Sequence, residues 1–302
     1  MNLTATGLIL LSAVIHVGWN LTGKRTATSL NFYFIASLVL VAILLPALAI
    51  FDRGGFDLPP IVWLLIACTG IFEALYYAAL VKAYRSGEMS VAYPVLRSIP
   101  VLLVTLITEL FSLGEPLSLL ALVGLGLVIA GCLLVPVEKP SRAIISSYLK
   151  PVMLLALLAA IGTTGYSLVD NEALRLLREL PESRLPAIES ALVYSVWQNV
   201  SAVIFMLPLC LMTSGGRAEF KVVLRRDGMT AAGLGFAIYF AYVLVLTAMA
   251  YAPNLSSVLA FRQASIPLGA LAGVVLLKEK AYPLKFIGSL MIFSGLILVG
   301  IS

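Results

Sequence analysis

The chain has 302 residues, of which 61% are hydrophobic and only 12% are charged. An ordinary soluble domain is roughly a quarter charged, so a soluble fold of this composition would expose far too much apolar surface. The net charge is +5, but the basic residues stand in short segments between apolar runs rather than in one stripe, which argues against a nucleic-acid-binding domain. The composition therefore indicates an integral membrane protein.

Ten apolar runs are long enough to cross a bilayer. A helix needs about 20 apolar residues to span a hydrocarbon core of roughly 30 Å, and each run ends at charged residues, glycine or proline. The predicted spans are residues 3–22, 30–51, 60–81, 91–111, 117–136, 149–169, 188–212, 229–250, 255–277 and 282–301. The sequence therefore predicts an all-α membrane protein with about ten transmembrane helices.

Most predicted connectors are too short to hold a soluble domain, so neighbouring helices form antiparallel hairpins. The longest connectors are 137–148 and 170–187. The first falls near the midpoint and divides the chain into a five-helix unit at 1–137, a linker at 138–148 and a second five-helix unit at 149–302. The second connector begins at Asp170 and is predicted to form a short amphipathic surface helix before Pro186.

The two units resemble each other in sequence, which indicates an internal duplication. Three elements recur with a spacing of 167 residues: Ala83-Tyr84 as Ala250-Tyr251, Ser90 as Ser257, and Ser98-Ile99-Pro100 as Ser265-Ile266-Pro267. After a three-residue shift, Glu115, Gly124 and Gly131 recur as Glu279, Gly288 and Gly295. Because each unit has an odd number of helices, the second enters the membrane from the opposite side. The units are therefore predicted to be inverted repeats, an arrangement that suits alternating access around a central site.

Two arginines stand inside predicted spans, where an ionisable side chain costs roughly 2.5 to 3.5 kcal/mol unless it has a partner or water. Arg97 in the fourth span and Arg262 in the ninth each lie shortly before a Ser-Ile-Pro element. They are predicted to line a central cavity and to bind a carboxylate or phosphate of a substrate. A structural alternative stays open, in which they bond to helix-end carbonyls near the flanking prolines or pair with Glu73.

Glu73 lies in the middle of the third span and is the candidate for proton coupling. Burial at that depth favours the neutral form of a carboxyl group, which brings proton exchange towards neutral pH. A permanent ion pair with an arginine is the alternative. The first span carries His16, Asn20 and Lys24 at helical spacings of four, so the three share one face. We expect this polar face to line the cavity, although interhelical hydrogen bonding or an ordinary positive charge at the helix end would also explain it.

Amide and aromatic side chains complete the candidate binding site. Gln198 and Gln263 are neutral amides within spans, where they can bind a polar ligand or join helices by hydrogen bonds. Tyr93 is a candidate for a stacking wall of the cavity, and Trp197, Tyr166, Tyr239 and Tyr242 are others. Aromatic residues in membrane helices also pack against one another or mark the interfaces.

Catalytic and cofactor motifs are missing from the sequence. A single histidine leaves no HExxH motif and little scope for a Ser-His-Asp set, and no phosphate-binding GxxxxGK[ST] loop is present. The three cysteines lie in different apolar runs without paired spacing, which favours core or lipid-facing thiols. We therefore predict neither an enzyme nor a resident metal or cofactor.

The chain resembles the EamA-type transporters of the drug/metabolite transporter superfamily over essentially its whole length. The motifs that carry the resemblance are Trp19-Asn20 with Lys24, Ala92-Tyr93-Pro94-Val95-Leu96-Arg97, Phe261-Arg262-Gln263-Ala264-Ser265-Ile266, Gly114-Glu115-Pro116-Leu117 and Lys278-Glu279-Lys280. The resemblance implies a secondary transporter, often an exporter of amino acids or other small metabolites, with a central cavity between inverted halves. It also implies a structural role for Glu115 and Glu279 in short turns.

These features together predict a secondary active transporter, in the exporting direction, of a small polar metabolite such as an amino acid or organic anion. The expected partners are that small molecule and membrane lipid, not nucleic acid, and the expected state is a monomer or homodimer in the plasma or inner membrane. The alternative is a lipid-handling or accessory membrane protein of the same fold that transports no soluble solute.

The distribution of charge gives a conflicting account of orientation. Connectors after odd-numbered spans carry fourteen lysines and arginines, whereas those after even-numbered spans carry four. The positive-inside rule then places both termini outside. Relatives in the family are commonly drawn with both termini in the cytoplasm, and the sequence leaves the two orientations open.

Overall fold

The computed structural model describes residues 2–23, 29–51, 58–85, 89–137, 151–179, 186–212, 214–276, 278 and 282–302. The described part consists of helices joined by turns. In chain order they are α1 (Leu3–Gly23), α2 (Leu30–Phe51), α3 (Pro60–Arg85), α4 (Met89–Leu110), α5 (Leu119–Leu134), α6 (Pro151–Glu179), α7 (Ala187–Leu211), α8 (Ser214–Ala248), α9 (Leu255–Arg262), α10 (Ser265–Leu276) and α11 (Pro283–Ile301). Each predicted span coincides with one of these helices or, for the ninth span, with two.

Length and hydropathy agree with an integral membrane protein. Six helices of the described part are long and apolar enough to cross a membrane, and α9 with α10 counts among them as one span from Leu255 to Leu276. Shorter apolar helices lie at Leu3–Gly18, Leu30–Pro46 and Leu119–Leu134. The linker predicted at 138–148 lies outside the described residues, so the boundaries of the two units stay a prediction.

The sixth helix corrects one expectation. The segment that begins at Asp170 was predicted to be a connector with a separate surface helix, but α6 continues through it to Glu179. The apolar residues Ala173, Leu174 and Leu177 recur on one face of this segment and are buried. They continue the apolar face of the span, and charged residues such as Arg175 occupy the opposite, exposed face. Asp170 therefore lies inside the protein rather than on its surface.

Two further helices differ from their predicted bounds. The eighth helix begins at Ser214 rather than at residue 229, because the intervening segment is helical although rich in charge. The ninth span is interrupted between α9 and α10, where the amide nitrogens of Gln263, Ala264 and Ile266 each bond to a carbonyl three residues earlier. This tighter turning precedes Pro267, which has no backbone N–H to donate.

The packing of helices follows a pseudo-two-fold relation between the halves. The pair α3–α6 has its counterpart in α8–α1, and the pair α2–α8 has its counterpart in α7–α3. Likewise α4 packs on α6 as α9 and α10 pack on α1. Each helix thus makes its principal contacts in the opposite half, and the cavity lies where the halves meet.

Glycines on α5 and α11 fix the direction of the pseudo-two-fold axis. A Cβ atom on Gly124 would lie 2.7 Å from the carbonyl oxygen of Gly295, and one on Gly131 would lie 2.6 Å from that of Gly288. Repeat equivalents therefore contact in the reciprocal manner of an isologous interface. Along this contact the residue numbers increase on α5 and decrease on α11, so the two helices are antiparallel. The two-fold axis is therefore perpendicular to both helices. For membrane-spanning helices that axis lies in the membrane plane, which makes the repeats inverted.

Candidate functional site

A cavity lies between the two halves and is lined by residues from α1, α2, α3, α4, α6, α7 and α8, together with Arg262 and Ser265 near the break between α9 and α10. It brings together five of the residues that the sequence singled out: His16, Glu73, Arg97, Gln198 and Arg262. These residues are far apart in the chain, and their meeting depends on the contacts between opposite halves.

Of the other residues predicted to bind substrate, one is buried away from the cavity and three lie outside what the structure describes. Gln263 is buried, and its amide nitrogen donates to the Leu259 carbonyl oxygen at 3.0 Å within α9, so it is not among the cavity residues. Lys24 and the side chains of Asn20 and Tyr93 lie outside the described residues. No ligand is present, so the binding role of every candidate stays a prediction.

Arg97 lies on the basic side of the cavity and is already engaged by the protein. Its Nη2 donates to Ser265 Oγ at 2.6 Å and lies 3.2 Å from His16 Nε2. Ser265 Oγ in turn donates to the Arg262 carbonyl oxygen at 2.9 Å. Arg97 therefore reaches across the halves to the interrupted turn of the ninth span. These contacts are to a hydroxyl and an imidazole, not to a helix-end carbonyl or to Glu73, and Arg97 also lines the cavity.

Arg262 is held differently. Its guanidinium carbon lies 5.4 Å from the centre of the Tyr242 ring, which is within the range of a cation–π contact. Among the described residues, no ion pair or hydrogen bond to the protein engages its guanidinium. Its donors therefore remain available to an anionic group that enters the cavity.

The acidic side of the cavity is organised by Asp170, which the sequence interpretation assigned to a connector. This side chain is fully buried. Its Oδ1 accepts hydrogen bonds from Thr69 Oγ1 at 2.6 Å and Tyr194 OH at 2.7 Å. Its Oδ2 accepts from Tyr242 OH at 2.5 Å and Gln198 Nε2 at 2.9 Å. Four donors from three helices thus converge on one carboxyl group.

Gln198 joins Asp170 to Glu73. Its Nε2 also lies 3.2 Å from Glu73 Oε1, so one amide group bridges the two acidic side chains. Glu73 lines the cavity, whereas Asp170 lies behind it. The two carboxyl groups therefore share one amide donor, and Glu73 is the one of the two that faces the cavity.

Tyrosines form a continuous row along the cavity. Tyr33 stacks on Tyr77 with ring centres 4.6 Å apart, and edge-to-face contacts then link Tyr77 to Tyr76, Tyr76 to Tyr166 and Tyr166 to Tyr242. Tyr166, Tyr239 and Tyr242 line the cavity as predicted. Trp197 instead packs against Trp63 and is outside the set of lining residues.

The arrangement contains the groups of a polar binding site. In the described part of the chain, no group of three or more histidine, cysteine, aspartate or glutamate residues could hold a metal ion. Arg97, Arg262 and Glu73 line the same cavity, and the Tyr242 side chain links Arg262 to the Asp170 carboxyl group behind it. Such a site can orient a small solute that carries opposite charges at its two ends.

Comparisons with known proteins agree with this fold. No curated protein sequence matches the chain. A solved crystal structure of a protein superposes on it with a TM-score of 0.64 at 15% identity, covering 99% of this chain and 97% of its own. That likeness shows the fold alone. Residues 3–136 match the EamA-like transporter family, whose members are transporters rather than enzymes. This match agrees with the resemblance of the chain to the drug/metabolite transporter superfamily.

Proposed function

We propose that this multi-pass membrane protein is a secondary active transporter of a small polar metabolite with an anionic group, such as an amino acid or organic anion. The observation that carries the proposal is the available guanidinium of Arg262 in a cavity between inverted halves. A cation within a membrane span is costly when no ion pair holds its guanidinium, and a carboxylate of the substrate would offset that cost. Because the repeats are inverted, exchange of their conformations would open the cavity to alternate faces of the membrane.

An acidic group in the same cavity favours a zwitterionic solute over a simple anion. Glu73 lines the cavity together with Arg262, so an ammonium group of the substrate would have an acidic partner there. Proton exchange on Glu73 would couple transport to a pH gradient, because protonation changes the charge of this part of the cavity. Export from the cell across the plasma or inner membrane is the direction and location that we propose with this function.

Uptake into proteoliposomes tests the proposal. The purified protein is reconstituted and supplied with a panel of labelled common L-amino acids, lactate and succinate, with and without a pH gradient. We expect uptake of at least one panel member above protein-free liposomes, with greater accumulation when the gradient is imposed. Uptake no greater than in protein-free liposomes for every member would contradict the proposal.

Alanine variants separate this function from a lipid-handling or accessory role. Arg262→Ala should reduce the uptake of the panel member that the wild type transports. If solute uptake is unchanged while the lipid bound to the purified protein changes, the alternative role is the better account. Labelled substrate loaded inside the vesicles measures efflux and so tests the exporting direction.

A further inference from the structure

We propose that Tyr242 is a positioning residue that couples anion binding at Arg262 to proton uptake by the acidic pair Asp170 and Glu73. This inference rests on the proposed transport function and adds the route by which substrate and proton affect each other. It is carried by one side chain that contacts both groups: the Tyr242 hydroxyl donates to Asp170, and the face of its ring holds the Arg262 guanidinium.

The geometry of Tyr242 makes the two contacts interdependent. The hydroxyl oxygen is 2.5 Å from Asp170 Oδ2, and the ring centre is 5.4 Å from the guanidinium carbon. Tyr166 packs edge-to-face on the same ring at 5.7 Å and limits its movement. Because the tyrosine ring is rigid, any displacement of the ring also moves its hydroxyl group.

The groups around Asp170 come from several helices. Thr69 and Glu73 lie on α3, Tyr194 and Gln198 on α7, Tyr242 on α8 and Arg262 on α9. On α6 itself, Tyr166 contacts the Tyr242 ring. Arg97 on α4 lines the same cavity and contacts His16 on α1. Tyr242 contacts both Arg262 and Asp170 and so links this cation to the acidic pair.

The direction of coupling follows from these charges. An anionic group bound to Arg262 neutralises a cation that favours the ionised form of Asp170. It also draws the guanidinium from the Tyr242 ring, so the ring shifts and its hydroxyl bond to Asp170 weakens. Both effects favour uptake of a proton by the acidic pair. Linkage is reciprocal, so protonation must strengthen anion binding by the same factor.

Substrate affinity as a function of pH tests the inference. The probe is the panel member with the greatest wild-type uptake, and its equilibrium binding to the purified protein is measured at about pH 6 and about pH 8. We expect the wild type to bind it about fivefold or more tightly at the lower pH, a typical size for coupling between sites. The ionisation of the probe is the same in every experiment, so differences between variants belong to the protein.

Three variants isolate the role of Tyr242. Tyr242→Phe keeps the ring under Arg262 and removes the donor to Asp170, so the ratio of the affinities at the two pH values should fall below about twofold. Tyr194→Phe is the matched control, because it removes a donor 2.7 Å from the same carboxyl group and has no ring contact with Arg262. Its ratio of affinities between the two pH values should stay near that of the wild type. Tyr242→Leu removes the ring as well and should weaken binding at both pH values.

The possible results are distinguishable. A Tyr242→Phe protein that keeps the wild-type ratio would overturn the inference and assign the pH dependence to another route, such as His16. The inference would also be overturned if Tyr194→Phe lowered the ratio of the two affinities as much as Tyr242→Phe does. If Tyr242→Phe fails size-exclusion chromatography, Asp170→Asn replaces it and should likewise abolish the ratio. If the wild type transports no panel member, the proposed function fails, and the inference fails with it.

Discussion

The α5–α11 seam and the central cavity are both formed between the halves, but only the seam keeps their symmetry. At the seam, Gly124 and Gly131 meet Gly295 and Gly288 in reciprocal contacts between repeat equivalents. In the cavity, the near-equivalent Arg97 and Arg262 have different partners: the first bonds to Ser265 and contacts His16, and the second stacks on Tyr242.

This difference separates two kinds of constraint on a duplicated membrane protein. Close packing of two backbones depends on small residues at both partners, so duplication satisfies it twice with the same residue type. A binding site for an asymmetric solute needs different groups at its two ends. Accordingly, Glu73 is the one acidic side chain among the described lining residues, and an amide bridge links it to Asp170 behind the cavity.

The largest effect should follow from removal of the Asp170 carboxyl group. Asp170→Ala would leave several buried donors without an acceptor, and each such group costs about 1–3 kcal/mol. We expect the variant to be lost mainly as aggregate during purification, measured by fluorescence-detected size-exclusion chromatography. Glu172→Ala, on the exposed part of the same helix, is the control and should elute like the wild type. Equal recovery of the two variants would mean that the acidic network does not stabilise the fold.

The second-largest effect is expected from a substitution at the α5–α11 seam. Gly131→Ala adds a methyl group that would lie 2.6 Å from the Gly288 carbonyl oxygen, and α5 and α11 must separate to admit it. Overpacking of this kind typically costs about 1–3 kcal/mol. The matched control is Gly126→Ala on the same helix, where a Cβ atom meets nothing within 4 Å. Thermal unfolding in detergent should show a lower midpoint for the first variant only; similar midpoints would contradict the close approach.

Periodicity and repetition predicted the symmetric part of the molecule well. Each predicted span coincides with one helix or, in the ninth span, with two, because apolar length alone fixes a membrane helix. The repeated glycines that indicated a duplication are also the residues that contact at the seam. The positions of the helices and the repeated glycines could therefore both be read from the sequence.

The asymmetric part was only partly predictable. Arg97, Arg262, Glu73 and His16 attract attention because charge inside an apolar run is costly. Asp170 did not, because it begins the charged segment in which the sixth span appeared to end. The spacing of Ala173, Leu174 and Leu177 on its own helical face was the available signal. Its four donors come from other helices, and no local pattern predicts such contacts.

A moderate effect is expected when the two arginines are compared directly. Arg262→Gln should raise the half-saturating substrate concentration about tenfold to a hundredfold, the usual range for loss of a charged hydrogen bond. Arg97→Gln should change that concentration less and lower the thermal midpoint more, because Arg97 bonds to Ser265 of the opposite half. Uptake kinetics and thermal unfolding, measured on the same preparations, check both statements. Equal kinetic effects would restore a symmetric site and contradict the distinction.

The smallest effect should come from two serines that occupy equivalent positions in the repeats. Ser265 accepts a hydrogen bond from Arg97 at 2.6 Å and lines the cavity, whereas Ser98 is buried outside the set of lining residues. Ser265→Ala removes one acceptor that positions Arg97, while the contact of Arg97 with His16 remains, so only part of the constraint on this guanidinium is lost. Transport should therefore slow about twofold to tenfold in Ser265→Ala and remain within about twofold of the wild type in Ser98→Ala. Initial rates of uptake measure both. If the two variants are equally slow, the two serines have the same role in both halves. The asymmetry of the cavity would then be limited to the arginines and would not include the serines.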